Sequence, residues 1–141
     1  GITVGTGAGT LSLTAAPTRS TQNVNTSETT TSTSYTDLAT VGPAVTLTPG
    51  RATDQILLYS AFMLIAANLR QASISPAIAG ATASDIDAAM NTPGNVVSGN
   101  RNSAHALPTS VADGSTHTLK YKVNADTATF QDRRISAFTL T

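Results

Sequence analysis

The strongest constraint on this chain is a rhythm of short alternating segments cut by turn signals. Thr116, Thr118, Lys120 and Lys122 alternate with His117, Leu119, Tyr121 and Val123. That is the period-two pattern of a strand with one apolar and one wet face. Asp113-Gly114 precedes the segment and Asn124-Ala125-Asp126 follows it, and both are turn-forming combinations. Residues 70–79 alternate in the same way, with Ala72, Ile74, Pro76 and Ile78 on one parity and Gln71, Ser73 and Ser75 on the other. Pro76 brings no N–H, which assigns this strand to a sheet edge or a bulge. Residues 35–48 read as two strand halves kinked at Gly42-Pro43, with Pro49-Gly50 as the turn behind them. Residues 95–111 read as a weak strand. Residues 127–130 and 135–141 read as two strands separated by a break at Asp132-Arg133. Ser84 and Asp87 mark either a single helical turn or a loop.

Residues 54–68 are the one ambiguous stretch. Ile56, Leu57, Leu58, Tyr59, Phe62, Met63, Leu64 and Ile65 leave almost no polar position. A capped helix fits this composition, and so does a central strand buried on both faces. Strand-like neighbours favour the strand. The run is too short to cross a hydrocarbon layer of about 30 Å.

Composition narrows the classes of function. The chain has eight basic and eight acidic residues, two histidines and no cysteine in 141 residues. A balanced charge argues against binding driven by phosphate neutralisation, so no nucleic-acid partner is expected, and no membrane partner either. Without cysteine there is no disulfide framework, thiolate zinc site or thiol nucleophile. With 40% hydrophobic residues the chain can build a core.

No arrangement of residue types points to catalysis, and the expectation is a protein that is not an enzyme, with no cofactor and no metal. His117 sits among strand residues that face a core, and His105 lies in a polar stretch with no ligand-like spacing. Asp85 and Asp87 lack the further oxygen ligands of a calcium loop. Gly5-Thr6-Gly7-Ala8-Gly9 has neither the lysine of a phosphate loop nor dinucleotide-binding spacing, and reads as a flexible turn. Arg133-Arg134 could join Lys120 and Lys122 in a small basic patch, but ion pairs with Asp126 and Asp132 are the simpler reading.

The 25 threonines and 14 serines are densest near the start. Residues 1–34 carry only Arg19 and Glu28 as charges and are read as an extended N-terminal arm or strand, with a sandwich domain over residues 35–141. Ile2 and Val4, and again Leu11 and Leu13, are spaced two apart there, and the four form the candidate interaction arm. Two readings fit: a disordered leader, or an arm that adds its backbone to a neighbouring chain.

Residues 114–123, Gly-Ser-Thr-His-Thr-Leu-Lys-Tyr-Lys-Val, lead on to Thr127-Ala128-Thr129-Phe130-Gln131-Asp132-Arg133-Arg134-Ile135. This resembles the closing hairpin of small jelly-roll-like domains in bacteriophage virion proteins. Thr33-Ser34-Tyr35-Thr36-Asp37-Leu38 and Gly42-Pro43-Ala44-Val45-Thr46-Leu47 resemble the opening strand of the same group. The turn at residues 124–126 departs from the glycine-rich turn of that group, and residues 1–34 have no counterpart in it. The resemblance spans roughly residues 30–141. It implies an all-β, antiparallel jelly-roll-like β-sandwich with an extended N-terminal arm. It also implies a virion protein, most simply a capsid decoration or cement protein on the capsid surface. Its partners would be the major capsid protein and copies of itself, as a homotrimer. The alternative role is a head-fibre or tail-fibre module that binds a host surface glycan or protein.

Overall fold

The computed structural model describes residues 17–65, 70–91 and 98–140. Nine strands make an antiparallel sandwich: β1 Arg19–Val24, β2 Glu28–Thr30, β3 Ala44–Thr46, β4 Gln55–Ile65, β5 Ala72–Ala77, β6 Ala89–Asn91, β7 Ser98–Ala106, β8 Thr116–Val123 and β9 Ala128–Thr139. One sheet has the order β1-β9-β4-β7, with β2 also paired to β9. The other has the order β3-β8-β5-β6. The expected all-β sandwich is therefore present.

The alternating pattern of β8 works as its sequence requires. His117, Leu119, Tyr121 and Val123 are buried, and the threonines and lysines between them face outward. They meet Leu57, Tyr59, Met63 and Ile65 of β4 and Phe130, Ile135 and Ala137 of β9 in a continuous core. Tyr121 and Phe130 pack edge to face with ring centroids 5.1 Å apart, a favoured aromatic geometry.

Several elements differ from the sequence reading. Residues 35–48 form only the short strand β3 and a single bridge from Thr36 to Tyr121. Gly42, at φ +91, turns the chain ahead of the cis peptide to Pro43, and the carbonyl of Gly42 accepts the Tyr121 hydroxyl at 2.6 Å. Strand β5 is buried at every position rather than on one parity. It lies inside its sheet, yet β6 pairs only with Ala72–Ile74, so Pro76 has a partner on the β8 side alone. A missing donor costs nothing there. Ser84 makes no side-chain cap, and Asp85–Asp87 form a single 3-10 turn.

The expected break at Asp132-Arg133 is a bulge inside one continuous strand. Register slips opposite Ser60 and Phe62, so Asp132 and Arg133 stand where one residue would fit. Asp132 takes φ +48, as bulged residues do. The slip moves the inward parity from Phe130 to Arg133 and Ile135. It also splits the neighbouring edge: β1 pairs with β9 from Arg133 to Phe138, and β2 from Ala128 to Phe130. Residues 19–30 thus lie on the sandwich as its edge strands. Residues 1–16, with Ile2, Val4, Leu11, Leu13 and the glycine-rich stretch, lie outside the described residues.

The bulge sends Arg133 into the interior, where its side chain is fully buried. Its Nη2 donates to Thr26 Oγ1 at 2.7 Å and lies 3.2 Å from Glu28 Oε2, and Nη1 donates to the Thr40 carbonyl at 3.4 Å. The guanidinium lies 5.4 Å from the Tyr121 ring centroid, within cation–π range. Glu28 also accepts the Thr40 N–H at 3.1 Å on both oxygens. Burial pushes the Glu28 pKa up, but the bonds from Thr40 and the Arg133 charge outweigh it and hold the carboxyl below its ordinary value. One ion pair thus ties β2, the loop at Thr40 and the bulge to the core.

His117 is the second buried polar group. Its Nδ1 accepts the Ala79 N–H at 3.2 Å, and its Nε2–H donates to Gln55 Oε1 at 2.8 Å. These bonds fix the neutral tautomer, and burial lowers its pKa from 6.5.

Two outcomes follow from these groups. Arg133→Ala strands the Glu28 carboxylate and should cost about 3–5 kcal/mol of unfolding free energy, the usual loss when one partner of a buried pair is removed. Arg133→Met combined with Glu28→Gln should cost much less. Guanidinium titrations compare them, and equal losses would show that the charge pairing is unimportant. For His117, the unfolded state takes up a proton below pH 6.5 that the folded state resists. Stability should therefore fall with pH from about 6.5 downward, by at most about 1.4 kcal/mol per unit. Glu28 adds its own loss only below its unfolded value of 4.5. Urea titrations at pH 7.5 and pH 5 isolate the histidine, and His117→Gln should flatten the difference.

Candidate interaction face

The apolar run of β4 is a strand, but among the described residues only one of its faces is fully covered. Gln55, Leu57, Tyr59, Ala61, Met63 and Ile65 point into the sandwich. Ile56, Leu58, Ser60, Phe62 and Leu64 point away from it. This overturns the expectation of a strand buried on both sides. Leu58 is 48% and Leu64 38% exposed. Register carries the outward row across the sheet. Ile56 stands opposite Phe138, Leu58 opposite Ser136 and His105, and Ser60 opposite Arg134 and Ser103. The Phe62 ring reaches over β7, where a Cβ on Gly99 would come within 2.5 Å of it, so only glycine leaves room for the ring.

A groove of about 430 Å³ crosses this face, lined by Leu58, Tyr59, Ser60, Ser103, His105, Arg134 and Ser136, together with Ala104. Ser136 accepts the Thr21 hydroxyl at 3.0 Å. Arg134 makes no hydrogen bond or ion pair among the described residues. The groove offers an apolar floor, three hydroxyls and one unpaired cation. No carboxylate is among its lining residues. It is suited to contact, since Leu58 can be desolvated while Arg134 accepts an opposite charge.

The sequence-level candidates are dispersed. Arg133 and Arg134 point to opposite faces, one buried and one exposed, because neighbouring residues on a strand alternate. Lys120 and Lys122 lie on the other sheet, where Lys120 pairs with Asp37 at 2.7 Å and Lys122 with Asp85 at 2.6 Å. The four do not make a basic patch. Asp126 pairs with Arg70 and Asp132 with Arg101. Asp85 also accepts the Tyr35 hydroxyl at 2.8 Å, and the bonds from Lys122 and Tyr35 hold its pKa down. Asp87 contributes its backbone carbonyl to the Tyr59 hydroxyl, so the two aspartates do not converge. His105 stands at the groove and His117 in the core. Among the described residues, no three acidic or histidine side chains gather as a metal site. Sequence reasoning missed the groove, although one sign of it was visible in the leucines on both parities of residues 54–68.

No protein-family model matches the chain, and no curated protein matches it. Solved structures do. The infectious bursal disease virus VP2 subviral particle superposes with a TM-score of 0.56 at 6% identity, covering 97% of this chain and 37% of the virus chain. The present chain thus spans little more than a third of that protein's length. Eiger TNF from S. frugiperda aligns with a TM-score of 0.54 at 8% identity, covering 87% of this chain and 92% of that one. Murine APRIL aligns with a TM-score of 0.51 at 11% identity, covering 89% of this chain and 100% of its own. At such identities the likeness is one of fold: this chain is a jelly-roll β-sandwich of the kind found in a viral capsid protein and in TNF-type domains.

Proposed function

We propose that this chain is a non-enzymatic structural protein of a bacteriophage virion, a decoration or cement protein that binds the assembled head shell and stabilises it as a homotrimer. The observation that carries the reading is the outer face of the β1-β9-β4-β7 sheet. It presents Leu58 and Leu64 with half-buried Ile56, Phe62 and Phe138, and no element of the chain among the described residues covers it. Apolar side chains set among serines, His105 and Arg134 on an open sheet face suit a protein–protein contact. The jelly-roll likeness to a viral capsid protein supports the same reading. Copies arrayed on a symmetric shell turn weak single contacts into strong retention.

A fibre module that binds a host surface glycan or protein is the second reading. The hydroxyl-lined groove with Arg134 favours it, because hydroxyls and a guanidinium suit a polar ligand. Its apolar floor at Leu58 and the exposed Leu64 nearby on β4 favour protein instead.

Purified protein added to head shells that lack it should co-sediment at hundreds of copies per shell. A handful of copies would support the fibre reading, and none would overturn the decoration reading. Deleting residues 1–16 tests the arm, because the cut stops short of β1 and leaves the Glu28–Arg133 pair intact. We expect weaker shell binding at unchanged thermal stability. Unchanged binding would assign the contact to the sheet face rather than to Ile2, Val4, Leu11 and Leu13.

A further inference from the structure

Ion pairs and backbone hydrogen bonds together leave one carboxylate over among the described residues. Of the eight acidic side chains, Glu28, Asp37, Asp85, Asp126 and Asp132 pair with cations. Asp54 and Asp113 accept the N–H groups of Ser110 and Gly50, each at 2.8 Å. The Asp87 carboxylate has no hydrogen bond or ion pair among the described residues. It ends the 3-10 turn Asp85–Asp87, whose middle residue, Ile86, is 92% exposed. A lone isoleucine on a surface is ordinary. An isoleucine held out by a short turn, next to a half-buried carboxylate with no paired cation, has the form of a plug.

The groove has the complementary form. Leu58 gives it an apolar floor, and Arg134 beside it is unpaired. Plug and groove do not meet within one copy, since Asp87 and Arg134 make no pair. The Asp85–Asp87 turn sits against the β7 border of the sandwich, with the Asp87 carbonyl bonded to Tyr59, whereas the groove opens on the face of β7, β4 and β9.

We propose that the Ile86-Asp87 plug of one copy seats in the Leu58–Arg134 groove of the next, with Ile86 on Leu58 and the Asp87 carboxylate on the Arg134 guanidinium. The contact is heterologous, border to face, and a closed ring of three copies is the arrangement that fits the proposed homotrimer. A two-fold contact of groove on groove would bring two Arg134 side chains together and is disfavoured by like charge. The ring also draws the free edge of β7 into the interface, where an exposed edge strand is no longer open to chance pairing. This inference deepens the structural-protein reading by naming the contact through which copies associate.

Charge reversal tests it. Wild-type protein should sediment at three times the 14.3 kDa chain mass. Arg134→Glu and Asp87→Arg should each shift the protein toward monomer, with at least a tenfold rise in the dissociation constant. Arg134 is exposed and Asp87 half-buried, so far-ultraviolet dichroism and thermal unfolding are read alongside and should show that each variant still folds. The double variant, with the charges exchanged, should regain the trimer, which a merely destabilising change would not do. A wild-type monomer at all concentrations, a dimer mass, single variants that stay trimeric, or a double variant no better than the singles would each overturn the proposal. Shell binding by the wild type is scored separately. A trimer that ignores shells keeps this interface and sinks the decoration reading, and a monomer that binds shells does the reverse.

Discussion

The inward turn of Arg133 at the β9 bulge is the interaction on which most of the sandwich depends. Burying a guanidinium costs several kcal/mol unless it is paired and bonded. The partners come from parts of the chain far apart in sequence: Thr26 and Glu28 beside the edge strands, and Thr40 in the loop ahead of β3. Each of these polar segments has little apolar surface of its own. The buried cation holds them, and through the Tyr121 face it couples them to the second sheet. The same bulge ends β1 and starts β2 along one edge. It also restores the inward direction of Ile135 and Ala137, so the long β9 can serve the core at both ends.

The sequence showed the pattern of β8 because each of its residues obeys one rule of alternation. It hid the bulge, because Asp132-Arg133 in a polar stretch looks like a surface turn. One clue was available. Phe130 and Ile135 are an odd number of residues apart, and a strand can bury both on the same face only by inserting an extra residue. The polar leader misled for a related reason. Hydroxyl side chains bury little, yet the backbone of residues 19–30 can still complete a sheet edge, and each such hydrogen bond contributes about 0.5–1.5 kcal/mol. Side-chain polarity told what those residues would not do in a core, and nothing about what their backbone would do at an edge.

The candidate face was hidden for a different reason. A strand buried on both sides and a strand buried on one side with an interface on the other have the same apolar composition. Periodicity cannot separate them, because both lack a polar parity. Only the sheet order, with β4 between β9 and β7 and no described residue laid over Leu58 and Leu64, tells them apart. Arg134 was equally illegible as half of a basic pair, since strand geometry gives it and Arg133 opposite environments.

Charge economy connects the fold to assembly. Five ion pairs consume most of the sixteen charged side chains, and the formal net charge is zero. A neutral surface loses the mutual repulsion that keeps highly charged proteins apart. For a solitary protein that is a liability, most of all with an uncovered apolar sheet face. For copies held side by side it is a requirement, because every neighbour would otherwise add repulsion to the contact. The threonines and serines resolve the tension, keeping the outer strands wet without adding charge. A surface of this kind resists indiscriminate association through hydroxyls and leaves its few unpaired apolar and charged groups for the proposed contact between copies.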